Sequence, residues 1–194
     1  MTVLLIAGSP SAPSRSAVLL DAVAARLALR DVSVERIAVR ELAAHALLLG
    51  EASHPSIEHA VDRLHRADAI VIATPVYKAA YSGVLKVFLD LLPQSALRGK
   101  AVLPLATGGS PHHMLALDYA LRPVLQSLAA RHILPGVYAT DGQVTLQPEG
   151  AYQLQGELAQ RLDDAVDTLA HEGLRLPATQ GFEPVPFSRV RCSV

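Results

Sequence analysis

The protein has 194 residues, of which 51% are hydrophobic and 4% are aromatic, and its formal net charge is −1 with histidine neutral. A chain of this length and composition predicts one folded domain with a core of its own, which excludes an intrinsically disordered protein. The near-zero charge gives no electrostatic reason to expect a nucleic acid or an anionic membrane as partner.

The chain alternates between short apolar runs, typical of buried parallel strands, and stretches with apolar side chains at helical spacing. The predicted strands cover residues 3–7, 32–39, 69–74, 100–107 and 133–139. The predicted helices run from residue 14 or 16 to 29, from 53 or 55 to 67, over 82–92, from 111 to about 130, and over 152–171. Residues 40–53 give no clear pattern. Pro75 is expected to end the third strand, and Gly173 to close the last helix.

Five strands alternating with five helices predict an α/β fold with a doubly wound parallel sheet. We expect one domain over residues 1–173 and a loosely ordered C-terminal tail over residues 174–194, which contains three prolines. Ligands of such sheets bind beyond the carboxyl ends of the strands. Function is therefore expected in the first loop (residues 8–16), the second loop (residues 75–82) and the third loop (residues 107–113).

Sequence signals for secretion or membrane insertion are lacking. The N-terminus has no basic segment and no cleavage site, and no stretch approaches the roughly 20 apolar residues that span a bilayer. The single cysteine, Cys192, leaves no partner for an intrachain disulfide. This pattern predicts a cytoplasmic protein with no membrane partner.

The first loop has the composition of an anion-binding site. It combines the hydroxyls of Ser9, Ser11, Ser14 and Ser16 with the guanidinium of Arg15 and the free amides of a helix N-terminus. All of these groups donate hydrogen bonds to a phosphate, and the helix dipole favours negative charge at this end. An ordinary serine-rich loop with a helix cap is the alternative. The motifs of Walker A loops, dinucleotide-binding Rossmann folds and α/β-hydrolases are absent.

The second and third loops have features of a site for a planar ring. Pro75 has no N–H and stiffens its turn, so the two amides that follow it are available to a ligand. Tyr77 and Tyr81 are placed to flank a ring, or only to cover the end of the sheet. Gly108 and Gly109 let the backbone approach a ligand closely, or serve a turn that requires positive φ. His54, His59 and His65, on or before one predicted helix, do not have the spacing of a metal site.

Three motifs resemble those of the NADPH-dependent FMN reductase family. They are Gly8-Ser9-Pro10 with Ser14-Arg15-Ser16, the run of residues 73–83, and the run of residues 105–109. The similarity extends from residue 1 to about residue 144, includes residues 118–125, and is weak in the tail. The run of residues 73–83 is long and specific. Within the family, the sequence is most similar to the reductase components of alkanesulfonate monooxygenase systems.

The resemblance implies a flavodoxin-like five-stranded sheet with the strand order 2-1-3-4-5. It also implies that the FMN phosphate lies in the first loop, on Ser9, Ser14, Arg15 and Ser16. The flavin ring is then expected against Pro75, Val76, Tyr77, Lys78, Thr107, Gly108 and Gly109. Ser11 stands where relatives often have arginine, which leaves Arg15 as the only cation of the first loop.

The implied reaction is hydride transfer from C4 of NADPH or NADH to N5 of FMN, which needs no acid or base from a side chain. The implied role is supply of reduced FMN to a partner monooxygenase in alkanesulfonate sulfur assimilation, with FMN bound weakly, as a substrate. A flavodoxin-type electron carrier, or a quinone or azo reductase on the same scaffold, stays open as an alternative. The charge of −1 and the absence of tryptophan argue against the carrier.

The predicted fourth helix contains a feature that the family resemblance connects to assembly. Relatives of this kind carry a π-helix centred on a tyrosine, at a subunit interface near the flavin. Here Pro123 lacks the N–H that the carbonyl of Tyr119 would accept, so a local widening of the helix around Tyr119 is expected. A plain proline kink is the alternative. We expect a homodimer or homotetramer with the Tyr119 region near the interface.

Overall fold

The computed structural model describes residues 1–146 and 152–174 and is organised around a mostly parallel sheet. The strands are β1 (Thr2–Ala7), β2 (Ser33–Ala38), β3 (Ala69–Tyr77), β4 (Ala80–Tyr81), β5 (Ala101–Gly108), β6 (His132–Ile133), β7 (Val137–Thr140), β8 (Val144–Leu146) and β9 (Tyr152–Leu154). The α-helices are α1 (Arg15–Ala28), α2 (Ala44–Leu49), α3 (Pro55–Arg66), α4 (Gly83–Asp90), α5 (Arg122–Ser127) and α6 (Gly156–Thr168).

The main sheet has the order β2-β1-β3-β5, and both β6 and β7 pair with the far side of β5. Taken together, β6 and β7 form one interrupted fifth strand, so the predicted flavodoxin-like order 2-1-3-4-5 is confirmed. The prediction of one continuous strand over residues 133–139 is wrong. Pro135 has no N–H to donate, and Gly136 packs so closely that a Cβ there would lie 3.1 Å from the carbonyl oxygen of Pro104.

Both faces of the sheet are covered by helices, which explains the continuous apolar runs of the strands. Along β1, Leu4 and Ile6 face a core shared with α3 and α4, whereas Val3 and Leu5 face a core shared with α1 and α6. The loops that follow β1, β3 and β5 lie at the carboxyl edge of the sheet, beyond these two cores. No helix within the described residues is long and apolar enough to cross a membrane.

The third strand does not end at Pro75, as predicted, but continues to Tyr77. Pro75 pairs in register with Thr107 of β5, whereas the pairing of β3 with β1 stops at Ala73. A missing N–H is tolerated at this position because β3 has a neighbouring strand on one side only. The two residues after Tyr77 are Lys78 and Ala79, which adopt φ values of 51° and 62°. They form a two-residue turn with both φ values positive, and this turn joins β3 to β4 in an antiparallel hairpin.

The predicted fourth helix is built from three short segments. A 3₁₀ helix at Pro111–Leu115 leads into a π-helix at Leu117–Leu121 and then into α5. The N–H of Arg122 donates to the carbonyl of Leu117, five residues earlier, so the predicted widening around Tyr119 is confirmed. The single helix predicted up to residue 130 is wrong, because the proline and the wider turn divide the segment.

The helix predicted over residues 152–171 begins later, at Gly156. Residues Tyr152–Leu154 instead form β9, which pairs antiparallel with β8, and Gln155 occupies the N-cap position of the helix without a side-chain capping bond. A π-helix at Leu169–Gly173 follows α6, so the helical segment ends at Gly173 as predicted, but its C-cap residue is Leu174 and not the glycine. Residues 40–53, which had no clear pattern, form a 3₁₀ helix at Val39–Glu41 and the short helix α2.

The predicted tail lies outside the described residues except for Leu174, so the domain boundary stays a prediction.

Candidate functional site

The carboxyl ends of β1, β3 and β5 meet at an open cavity of about 270 Å³. Residues of all three predicted loops line it, together with two residues from the C-terminal third of the chain. The lining residues are Ser9, Ser11, Pro13, Ser14, Arg15, Pro75, Val76, Tyr77, Thr107, Gly108, Gly109, Asp141 and Tyr152. The structure therefore brings together all the predicted site residues except Ser16 and Lys78.

Ser16 and Lys78 lie beside the cavity rather than in its lining. Ser16 is buried, and its Oγ lies 2.9 Å from the Oγ of Ser14, so it contacts the cavity wall from behind. Lys78 is exposed at the tip of the turn between β3 and β4. Ser16 can support the position of Ser14, whereas Lys78 stands at the rim.

Ser82 holds the first and second loops together. Its hydroxyl donates to the carbonyl of Gly8 and accepts from the N–H of Leu85 at 3.1 Å, which caps α4. The N–H of Ser82 donates to the Oγ1 of Thr74 at 3.0 Å. A Cβ at Gly8 would lie only 2.9 Å from the Cβ of Leu85, so glycine permits this close approach. The first loop is thereby fixed against the ends of β3 and α4.

The first loop directs polar groups into the cavity at the start of α1. Ser14 is the N-cap residue of α1, but its hydroxyl makes no capping bond to the helix and lies beside that of Ser16. The first-turn amides of a helix have no intrahelical acceptors, and the dipole places positive potential at this end. The hydroxyls and amides form a donor set suited to an anion.

Arg15 extends across the cavity toward the segment that follows β7. Its Nε donates to the carbonyl of Val144 at 3.2 Å, and its Nη1 lies 3.7 Å from the Oδ1 of Asp141. Both side chains are about half exposed, with 42% and 47% of their surfaces accessible. Arg15, the only cation among the described residues of the cavity lining, therefore lies beside a carboxylate, that of Asp141.

Tyr138 holds the third loop in place through a hydrogen bond to its backbone. Its hydroxyl donates to the carbonyl of Ser110 at 2.6 Å, and a Cβ at Gly108 would lie 2.5 Å from that hydroxyl. Burial raises the pKa of the Tyr138 phenol, and the nearby charge of Asp141 raises it further. The phenol therefore stays protonated, as a donor to the third loop, well above neutral pH.

Several site residues were not predicted from the sequence. Asp141 follows the fifth strand directly, so the rule that parallel sheets bind ligands at their carboxyl ends could have found it. Tyr152 was assigned to a helix, and its place in β9 brings it to the cavity instead. Ser11, whose hydroxyl was counted among the donors of the first loop but was not assigned to the phosphate, and Pro13 also line the cavity. Within the described residues, no group of three histidine, cysteine or acidic side chains is arranged to hold a metal ion.

Comparison with known proteins identifies the family of the chain. The family model for NADPH-dependent FMN reductases matches residues 1–145. The chain is 48% identical over 168 residues to FMN reductase (NADPH) of Escherichia coli K12, which covers 87% of each chain. It is 47% identical over 170 residues to FMN reductase (NADPH) of Pseudomonas putida KT2440, covering 87% of this chain and 86% of the relative.

A solved structure gives the same result for the fold. The apo form of an NADH:FMN oxidoreductase superimposes with a TM-score of 0.83 at 42% identity and covers 92% of both chains. The family match over residues 1–145 includes every residue of the cavity lining except Tyr152. The chain therefore belongs to the NADPH-dependent FMN reductase family, an oxidoreductase family that uses NAD(P)H and FMN.

Proposed function

We propose that the protein binds FMN and NAD(P)H in the cavity at the carboxyl edge of the sheet, reduces FMN, and releases it to a monooxygenase of alkanesulfonate sulfur assimilation. The main support for this proposal is that a single cavity combines groups of the first loop that donate hydrogen bonds to an anion with the backbone of Gly108 and Gly109, which have no side chains of their own. This combination suits a ligand with a phosphate at one end and a flat ring at the other.

The residues present fit the two ends of FMN. For the phosphate, Ser9, Ser14 and Arg15 supply hydroxyl and guanidinium donors beside the N-terminus of α1, and Ser16 supports Ser14. For the ring, Gly108 and Gly109 expose backbone beside Thr107. The segment from Pro75 to Tyr77 forms the adjoining wall, and Lys78 stands at its rim.

The reaction requires no side chain to act as an acid, a base or a nucleophile. FMN held in the cavity would supply the chemistry itself, as the acceptor at N5 of a hydride from C4 of the nicotinamide. The task of the protein is to hold the two rings in contact and in the correct orientation. The second and third loops, fixed to the sheet through Ser82 and Tyr138, are suited to this task. We assign no side chain as an acid or base.

Both nicotinamide cofactors occur in the names of the relatives. The two relatives that are almost half identical carry NADPH in their names, whereas the solved oxidoreductase and a 31% identical protein of Pseudomonas putida carry NADH. We therefore favour NADPH. The ratio of kcat/KM for NADPH and NADH, measured with saturating FMN, tests this preference, and a ratio below one would contradict it.

Weak retention of FMN distinguishes this function from that of a flavodoxin-type carrier. The cavity is open, Arg15 is half exposed, and the whole sequence lacks tryptophan to enclose the ring. We expect the protein to lose FMN on dialysis and to reduce added FMN faster than quinones or azo dyes. A protein that stays yellow after dialysis and oxidises no NAD(P)H would contradict the proposal.

We further propose a cytoplasmic homodimer or homotetramer that associates through the surface around the π-helix. Tyr119 is 79% exposed, and Met114 and Leu115 of the preceding turn are each more than half exposed. A cluster of exposed apolar side chains of this kind is typical of a protein–protein contact surface. Replacing Tyr119 with aspartate is expected to shift the protein to smaller species in sedimentation velocity. A wild-type monomer, or an unchanged distribution, would contradict this proposal.

A further inference from the structure

We propose that Asp141 is a specificity-determining residue that weakens binding of the flavin phosphate and so accelerates the release of reduced FMN. The inference rests on the proposed function, because it assumes that the phosphate of FMN lies at Arg15. The observation that carries it is a carboxylate, Asp141, placed against Arg15 in the cavity lining.

The backbone places the Asp141 carboxylate between the phosphate end and the ring end of the cavity. One carboxylate oxygen lies 3.7 Å from the Nη1 of Arg15, and the other lies 3.7 Å from the position that a Cβ of Gly109 would occupy. Asp141 begins a 3₁₀ helix, and Gln143 fixes this turn by accepting from the N–H of Thr140 at 3.0 Å. The turn therefore fixes the backbone from which the Asp141 side chain extends toward Arg15.

This arrangement opposes tight binding of a phosphate. A phosphate monoester carries a charge between about −1.5 and −2 at neutral pH. The guanidinium of Arg15 is shared with Asp141 and with the carbonyl of Val144, so an incoming phosphate competes for it. The phosphate also approaches a like charge, which raises its free energy in the bound state.

An acidic side chain at this position is unfavourable for a permanently held cofactor but suits a flavin that must leave. Oxidised and reduced FMN carry the same phosphate, so the carboxylate weakens both complexes and shortens the lifetime of the product complex. Solvent screening limits the effect, because both side chains are about half exposed. We therefore expect a change of several-fold in affinity rather than of orders of magnitude.

Replacing Asp141 with asparagine tests the inference with little change in shape. The asparagine side chain keeps an oxygen toward Arg15 and loses only the charge. Riboflavin is the comparison ligand, because it has the same ring as FMN and no phosphate. We expect Asp141→Asn to lower the Kd for FMN by about three- to fivefold, to leave the Kd for riboflavin unchanged, and to slow the release of reduced FMN in stopped-flow measurements.

Salt and a remote variant separate the local effect from a general change in net charge. The difference between wild type and Asp141→Asn is expected to shrink as the concentration of NaCl rises. Asp62→Asn is the matched control, because Asp62 is exposed on α3, whose buried residues pack in the core on the opposite face of the sheet from α1. This control is expected to leave both flavin affinities unchanged.

The possible results identify which part of the account fails. An unchanged or higher Kd for FMN in Asp141→Asn, or equal tightening of FMN and riboflavin, would overturn the role of Asp141. If Arg15→Ala also leaves the ratio of the two flavin affinities unchanged, the phosphate does not bind at Arg15, and both the site and the inference fail. If the wild type does not oxidise NAD(P)H with FMN, the proposed function itself fails.

Discussion

Replacing Arg15 with alanine is expected to raise the Kd for FMN by about tenfold or more, since a hydrogen bond to a charged group contributes roughly 1.5–3 kcal/mol. The variant also leaves Asp141 without its neighbouring cation, at 3.7 Å in the wild type, so the carboxylate repels the phosphate without compensation. The Kd for riboflavin is expected to stay the same. Flavin fluorescence titration with both ligands measures the two constants directly.

Two further variants make the Arg15 result specific. Arg15→Lys keeps the positive charge but loses the forked donor geometry, so its Kd for FMN is expected to lie between those of the wild type and the alanine variant. Arg66→Ala removes a charge from an exposed position in the last turn of α3 and is expected to leave the affinity unchanged. Equal weakening of FMN and riboflavin by Arg15→Ala would show a general disturbance of the loop and contradict the assignment.

Replacing Gly108 with alanine is expected to lower the free energy of unfolding by about 1–3 kcal/mol, the usual cost of overpacking a tight site. The new Cβ would lie 2.5 Å from the hydroxyl of Tyr138, which donates to the carbonyl of Ser110. Either that hydrogen bond breaks or the end of β5 moves. Since β5 carries the third loop, we also expect weaker binding of both FMN and riboflavin.

The cause of the Gly108→Ala effect can be isolated with Tyr138→Phe. That single variant removes the obstructing hydroxyl and leaves the next-nearest tyrosine atom 3.4 Å from the new Cβ. Because it also removes the bond to Ser110, it is expected to cost about 0.5–1.5 kcal/mol by itself. The double variant should therefore be more stable than the sum of the single effects predicts. Additive losses in urea denaturation would contradict the contact.

Much of the site follows from local patterns together with one topological rule. The apolar runs locate the strands, the alternation with helices makes the sheet parallel, and ligands bind at its carboxyl edge. This reasoning reaches Ser14 and Arg15 through the helix start, and Gly108 and Gly109 through the end of a later strand. The order of strands in the sheet then brings these distant segments to one cavity.

The remaining features depend on contacts that no local pattern carries. Pro75 continues a strand only because the neighbouring strand β1 has already ended its pairing at Ala73. Tyr152 belongs to a strand because β8 lies beside it, although its segment leads directly into a helix. Asp141 gains its significance from the reach of Arg15, which lies far away in the sequence, at the start of α1.

The most direct test of the central claim is a count of turnovers with free FMN. Purified protein, freed of flavin by dialysis, is mixed without oxygen with NADPH and a large molar excess of FMN, and absorbance at the nicotinamide and flavin bands is followed. If FMN is a substrate that leaves the cavity, NADPH is consumed until all of the free FMN is reduced, at many equivalents per protein. Consumption that stops after one equivalent per protein would contradict this account, because it would show a flavin that stays bound.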